Sequence, residues 1–80
     1  MKNIELNNEF ENFLYNIVYL RKTNNLSKKE MAGILGISIY SLNMLEKGII
    51  PTRLGVEIIF KIQQHFSVSA KDLFEKKLSK

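Results

Sequence analysis

Metal centres and covalent catalysis need residue types that this chain hardly contains. Its 80 residues include no Cys and one His, His65. That excludes disulfides, thiolate metal sites, iron–sulfur clusters and Cys nucleophiles, and a lone His is too few for a His-based metal site. Asp and Glu occur singly, without the paired carboxylates of a hydrolase. Gly33 and Gly36 lack the preceding strand and third glycine of a dinucleotide fingerprint. His65, beside Phe66 and with no carboxylate in immediate reach, reads as a surface or helix-end residue. No enzymatic activity, cofactor or metal is therefore expected. The remaining chemistry is electrostatic. Arg21, Lys22, Lys28 and Lys29 follow one another with no acid between them, and Lys76, Lys77 and Lys80 crowd the end. The chain has 12 Lys and Arg against 8 Asp and Glu. One Lys and three Glu lie in residues 1–11, which leaves 11 positive and 5 negative side chains in residues 12–80. A solvated face with a frayed basic end accounts for that pattern; so does attraction to a polyanion, nucleic acid first.

The elements that must position these charges read as helical. The only Pro is Pro51, and no Asn-Gly or Asp-Gly hairpin signal occurs. Asn8, followed by Glu11, can cap a first helix with Phe10, Phe13, Leu14, Ile17, Leu20 and Arg21 along one side. Asn24 and Asn25 make a stop. Ser27 and Glu30 form a capping box for a second helix over residues 28–35, which Gly36 ends in the left-handed conformation. Ser38 caps a third helix that Gly48 closes. Thr52 caps a fourth, with Ile58, Ile59, Ile62 and Phe66 on one face. Ser69 with Asp72 opens a short fifth, whose Leu73 and Phe74 fold back on the core. The mixture of Asn and Glu in residues 1–11 argues against a signal peptide, and no apolar run approaches the roughly 18 residues of a membrane span. The domain reading is an N-terminal extension over 1–8, one domain over 9–76 and a basic tail over 77–80.

Two short helices separated by Gly36-Ile37-Ser38 make a helix-turn-helix candidate. Such helices cross steeply and need a small residue at the approach, supplied by Ala32. The turn needs a residue tolerant of positive φ, supplied by Gly36. Met31, Leu35, Ile37, Leu42 and Leu45 lock the pair together and onto the rest of the domain.

Residues 20–74 resemble the phage-repressor-like (Cro/XRE) helix-turn-helix family. The resemblance is carried by Leu20-Arg21, Ser27, Ala32, Leu35-Gly36-Ile37-Ser38, Leu42, Glu46-Lys47-Gly48 and the late Phe66-Ser67-Val68-Ser69 with Leu73-Phe74. It implies an all-α, five-helix lambda-repressor-like domain whose third helix enters the major groove of operator DNA. It implies base reading by Ser38, Ile39, Tyr40, Asn43 and Met44. Phosphate contacts fall to Lys28 and Lys29 at the start of the second helix, and to Lys47, Thr52 and Arg53 beyond the third. Arg21 and Glu46 match a salt bridge between the first and third helices. The expected protein is a cytoplasmic, nucleoid-associated transcriptional regulator of bacterial or phage type, a repressor by resemblance, without a small-molecule effector domain or a membrane partner.

Two departures from the family pattern bear on function. The groove-facing set is apolar, with Ile39, Tyr40 and Met44 able to touch thymine methyls and Asn43 alone able to pair with adenine. Specificity would then lean on methyl contacts and DNA shape. An alternative is a protein-interaction module, antitoxin-like or regulatory, whose third helix faces a protein; another is a nonspecific nucleic-acid binder. The second departure is aromatic and aliphatic. Tyr15, Val18 and Tyr19 centre almost opposite the first helix's core stripe, and Val56 and Phe60 flank the core face of the fourth. Either the N-terminal segment with Ile4 and Leu6 covers one of these patches, or they form the interface of a homodimer, since apolar patches commonly mark association sites.

Overall fold

The computed structural model describes residues 3–49 and 55–78, with side chains from residue 9 onward. Among these there are five helices and no strand: α1 (Asn3–Thr23), α2 (Lys28–Leu35), α3 (Ile39–Glu46), α4 (Glu57–Phe66) and α5 (Ala70–Glu75). Local signals set most of the boundaries. Ser27 Oγ accepts from the Glu30 amide at 3.0 Å, and Glu30 Oε1 accepts from the Ser27 amide at 2.8 Å, so the capping box forms in full. Ser38 and Ser69 cap α3 and α5 through the Ser41 and Asp72 amides.

Three of the helix ends share one device. Asn25, Gly36 and Gly48 adopt positive φ of 55°, 74° and 87°. In each case the following residue donates back five positions, Leu26 to Arg21, Ile37 to Ala32 and Ile49 to Met44. These are Schellman stops, which satisfy carbonyls that the helix leaves unpaired. Gly36 also lies against α4, where an added Cβ would stand 3.2 Å from Lys61 Cε.

Two expected helix starts are wrong. Asn8 does not cap α1, which runs back to Asn3. No Gly or Pro precedes Gly33, and a cap worth about 1 kcal/mol does not halt a helix that gains a hydrogen bond with each added residue. The fourth helix starts at Glu57, after Val56, with no side-chain cap. Gly55 follows Thr52 by three residues, and glycine inside a helix costs about 1 kcal/mol; the helix forms past it. Thr52 itself lies outside the described residues, as do Pro51, Arg53 and Lys80, together with the side chains of Ile4 and Leu6.

The core draws on all five helices: Phe13, Ile17 and Leu20; Met31, Ala32 and Leu35; Leu42 and Leu45; Ile58 and Ile62; and Leu73. α1 packs on α3 and α5, while α2 packs on α3 and α4. Phe13 stacks on Phe74 with ring centroids 4.9 Å apart. Tyr19 corrects the reading of α1, because it is half-buried and packed against this core rather than standing opposite it. Adding a ring to the core stripe extends apolar contact around the helix beyond the Phe13–Ile17–Leu20 line.

Asn16 is the fully buried polar side chain of the described core. It lies one residue from Ile17 inside the apolar stripe, a polar interruption that the sequence reading passed over. Its Nδ2 donates to the carbonyls of Leu73 at 2.7 Å and Lys76 at 2.9 Å, and its Oδ1 accepts from the Leu78 amide at 2.7 Å. Asn12 Nδ2 donates to the Phe74 carbonyl at 2.9 Å. The chain from Lys76 to Leu78 is therefore bound to α1 and is not a frayed end. Lys77 donates to Asn12 Oδ1 and stands 5.9 Å over the Tyr15 ring. Because an unpaired buried amide or carbonyl costs about 1–3 kcal/mol, Asn16→Ala is expected to destabilise the fold by about 2–3 kcal/mol. The partly buried Asn12→Ala should cost about 1 kcal/mol or less. Urea unfolding of the two variants checks the order.

Candidate nucleic-acid interface

α3 is built to expose one side. Leu42 and Leu45 are buried beneath it. Ile39 and Tyr40 are exposed, Tyr40 at 72%, and Lys47 stands open at the far end. Asn43 and Met44 are half-buried on the flank between them. The backbone turn of Gly36 and Ile37 fixes how α3 leaves α2. Ser38 begins α3 as its N-cap: its hydroxyl oxygen accepts from the Ser41 amide and lies 3.2 Å from Ser41 Oγ. That engagement ties Ser38 to the helix end and leaves the outer surface of α3 to Ile39, Tyr40, Asn43, Met44 and Lys47.

The far end of α3 is held by charge. Arg21 Nε donates to Glu46 Oε2 at 2.8 Å and Nη2 donates to Oε1 at 3.2 Å. The remaining arm, Nη1, reaches the Leu26 carbonyl at 3.3 Å. The two side chains are 14% and 10% exposed. One guanidinium thus joins α1, the approach to α2 and the last turn of α3, using a planar fork that Lys could not supply. The expected pairing of Arg21 with Glu46 is present in this geometry.

Around this helix the cations fall into two groups. Lys29 and Lys47 are exposed. Lys28, also exposed, reaches across to α3: its Nζ donates to Asn43 Oδ1 at 2.8 Å and lies 3.9 Å from Glu46 Oε1. Nothing in the sequence links two residues fifteen positions apart in this way, and the contact becomes visible only once the α2–α3 crossing exists.

Comparison with known protein families supplies the framework for this geometry. A family model described as helix-turn-helix matches residues 17–73, more than two-thirds of the chain. The chain belongs to that helix-turn-helix family, of Cro/C1 type. No curated protein and no solved structure gives a match. The helix-turn-helix family is one of DNA-binding domains, generally without enzymatic activity. In this chain the matched span covers the Arg21–Glu46 pair, both Schellman glycines and the whole of α2, α3 and α4.

The association candidates separate on burial. Val18 and Tyr19 are half-buried, while Tyr15 is exposed, stacks on Tyr19 with centroids 6.2 Å apart and has the Lys77 ammonium 5.9 Å from its ring. Val56 and Phe60 stay open, at 66% and 60% exposure. Val56 also edges an apolar groove of about 280 Å³ whose walls include Phe10, Phe13, Ile59 and Phe74. His65 is exposed in the last turn of α4 and meets Phe66 edge-on at 4.7 Å. No described helix is long and apolar enough to cross a membrane.

The ion pair yields a test by difference. Removing one member of a largely buried pair leaves the other charge without a partner and costs about 3–5 kcal/mol, whereas replacing both with apolar groups is far milder. Arg21→Met is therefore expected to destabilise the domain by about 3 kcal/mol, and Arg21→Met with Glu46→Met by markedly less. Denaturant melts of the two single variants and the double variant complete the cycle.

Proposed function

We propose that this chain is a sequence-specific transcriptional regulator that binds operator DNA as a homodimer, with α3 in the major groove. The observation that carries this reading is the exposed surface of α3, raised on buried Leu42 and Leu45 and fixed at its end by Arg21. Exposed Lys29 and Lys47 flank it. Bases are read by Ile39, Tyr40, Asn43 and Met44, with Ser38 beside a phosphate or base at the helix start. The N-terminus of α2 directs free amides and a positive dipole end outward, which suits a phosphate. Lys29 and Lys47 serve the backbone, and Thr52 and Arg53 take the corresponding role in the loop. Repression in the cytoplasm, at the nucleoid, is the regulatory mode that fits such a module.

One module buries roughly 600–1,000 Å² against DNA, which favours two copies on an inverted repeat with half-sites about one helical turn apart. Val56 and Phe60 are the better surface for that pairing, since they are more exposed than Tyr15 and since Val18 and Tyr19 are half-buried against their own domain. A second reading, in which α3 faces a protein, draws on the apolar character of Ile39, Tyr40 and Ile49, all exposed. Retention of duplex DNA at moderate salt separates the two.

Selection from a random duplex pool at two salt concentrations should return one palindromic site. Lys47→Ala should weaken all sequences alike and lower the salt slope by about one, while Ile39→Ala or Tyr40→Ala should shift base preference by about 1–3 kcal/mol at one position. A salt-steep but sequence-blind wild type would leave only nonspecific binding. Phe60→Asp is expected to abolish the 2:1 complex in sedimentation while changing stability by no more than about 0.5 kcal/mol, as befits an exposed site.

A further inference from the structure

The contact between Lys28 and Asn43 changes what the reading helix can recognise. An unhindered Asn pairs with adenine because its carboxamide offers both functions: the oxygen accepts from N6–H and the nitrogen donates to N7. Here one of the oxygen's two lone pairs is already engaged, by a cation. Lys28 Nζ donates to Asn43 Oδ1 at 2.8 Å, and an ammonium carries donors only. A donor on that oxygen fixes the amide with its NH2 as the free edge. Lys28 does not stand there by chance of surface rotamer alone. Glu46 Oε1, 3.9 Å from the same ammonium, is itself held by Arg21 Nη2 at 3.2 Å. The carboxylate thus supplies a fixed negative charge beside the lysine, and the chain of contacts runs from α1 through the end of α3 to the start of α2 and back to Asn43.

The pair that results is rich in donors: the second lone pair of Asn43 Oδ1 lies beside a cationic ammonium, where a further acceptor is favoured over a further donor. It offers the Asn43 Nδ2–H and the ammonium N–H left over from Asn43 and Glu46. Adenine's donor at N6 meets a donor in that arrangement. Guanine's major-groove edge, with acceptors at N7 and O6, is the complement. We infer that Lys28 is a specificity-determining residue that makes the Lys28–Asn43 pair a donor-rich reader, so that the pair favours guanine where Asn43 alone would favour adenine. This rests on α3 reading DNA, and it takes Lys28 out of the set of phosphate contacts that the sequence suggested.

Site selection with the wild type, Lys28→Met, Lys28→Arg and Asn43→Ala tests it. Lys28 is 46% exposed on its side chain, so the substitutions leave the core intact, and circular dichroism checks that they do. The wild type is expected to prefer guanine by roughly ten-fold at one position per half-site. Asn43→Ala should lose that preference, Lys28→Met should move it to adenine, and Lys28→Arg, which keeps a donor on the oxygen, should retain guanine. Adenine at the Asn43-dependent position of the wild type overturns the inference. So does a Lys28→Met protein that binds every sequence more weakly with unchanged preference, the mark of a phosphate contact. A wild type with no preferred site overturns the DNA reading and this assignment together. In that event the Asn43 side-chain NH2 resonances in 1H–15N spectra show whether the contact itself exists: they move on Lys28→Met if it does.

Discussion

On the proposed function α3 is a reading helix, and such a helix must be held at one angle by something that touches it from outside its own hairpin; in this domain that element is the guanidinium of Arg21. Apolar packing beneath Leu42 and Leu45 gives α3 its depth, but such contacts are non-directional and tolerate rotation. The fork onto Glu46 is directional. It sets the last turn of α3 against α1 at hydrogen-bond distance, and its third arm on the Leu26 carbonyl places the start of α2 relative to the same side chain. With exposures of 14% and 10%, the pair is shielded enough for its geometry to matter and is too costly in desolvation to be a large source of net stability. Its contribution is orientation, and on the proposed function everything α3 would present to a groove inherits it.

Rigid stops at the helix ends complete that orientation. Asn25, Gly36 and Gly48 each close a helix with the same pair of backward hydrogen bonds, so α1, α2 and α3 end sharply and the connections between them have little freedom. Gly36 is the most constrained of the three, because a left-handed backbone coincides there with contact to Lys61 of α4. The crossing of α2 and α3 is thus set by backbone conformation at one end and by charge at the other. Elsewhere in the domain, Asn16 binds α5 and the chain after it to α1 through three hydrogen bonds, one to Leu73 within α5 and two to Lys76 and Leu78 beyond it, and Phe74 stacks on Phe13.

Legibility followed the range of the interaction. Ser27 with Glu30, Gly36, Ser38 and Gly48 act within four or five residues, and the helices they bound, α2 and α3, match the sequence reading at both ends. Arg21 and Glu46 were reached through the family pattern, since no local rule joins residues 25 apart. Asn8 and Thr52 misled because a cap signal competes with what surrounds it: no Gly or Pro before Asn8 to stop the helix, and Gly55 after Thr52. Tyr19 was misplaced because a helical wheel assigns a direction to the Cα–Cβ bond, while a long ring leans back over the preceding turn toward its neighbours. Asn16 was visible as a polar residue in an apolar stripe, but its partners at Leu73, Lys76 and Leu78 were not. Lys28 and Asn43 were each marked as DNA contacts by the family pattern, but their bond to one another carried no signal.

That last pair bears on how a weakly charged domain with an apolar reading surface could discriminate among sequences. A net charge of +4 gives modest, salt-sensitive attraction, which brings a domain to DNA without choosing where. Ile39 and Met44 can favour thymine methyls, but apolar contact separates similar bases by little. Discrimination then depends on a few polar atoms whose partners are fixed before DNA arrives, because a preset donor rejects the wrong edge through an unpaired or opposed hydrogen bond rather than through a lost attraction. The network from Arg21 to Glu46 to Lys28 to Asn43 is such a preset arrangement. On the proposed reading, the salt bridge that orients the helix also determines the face its one amide turns outward, so positioning and specificity share a single set of contacts.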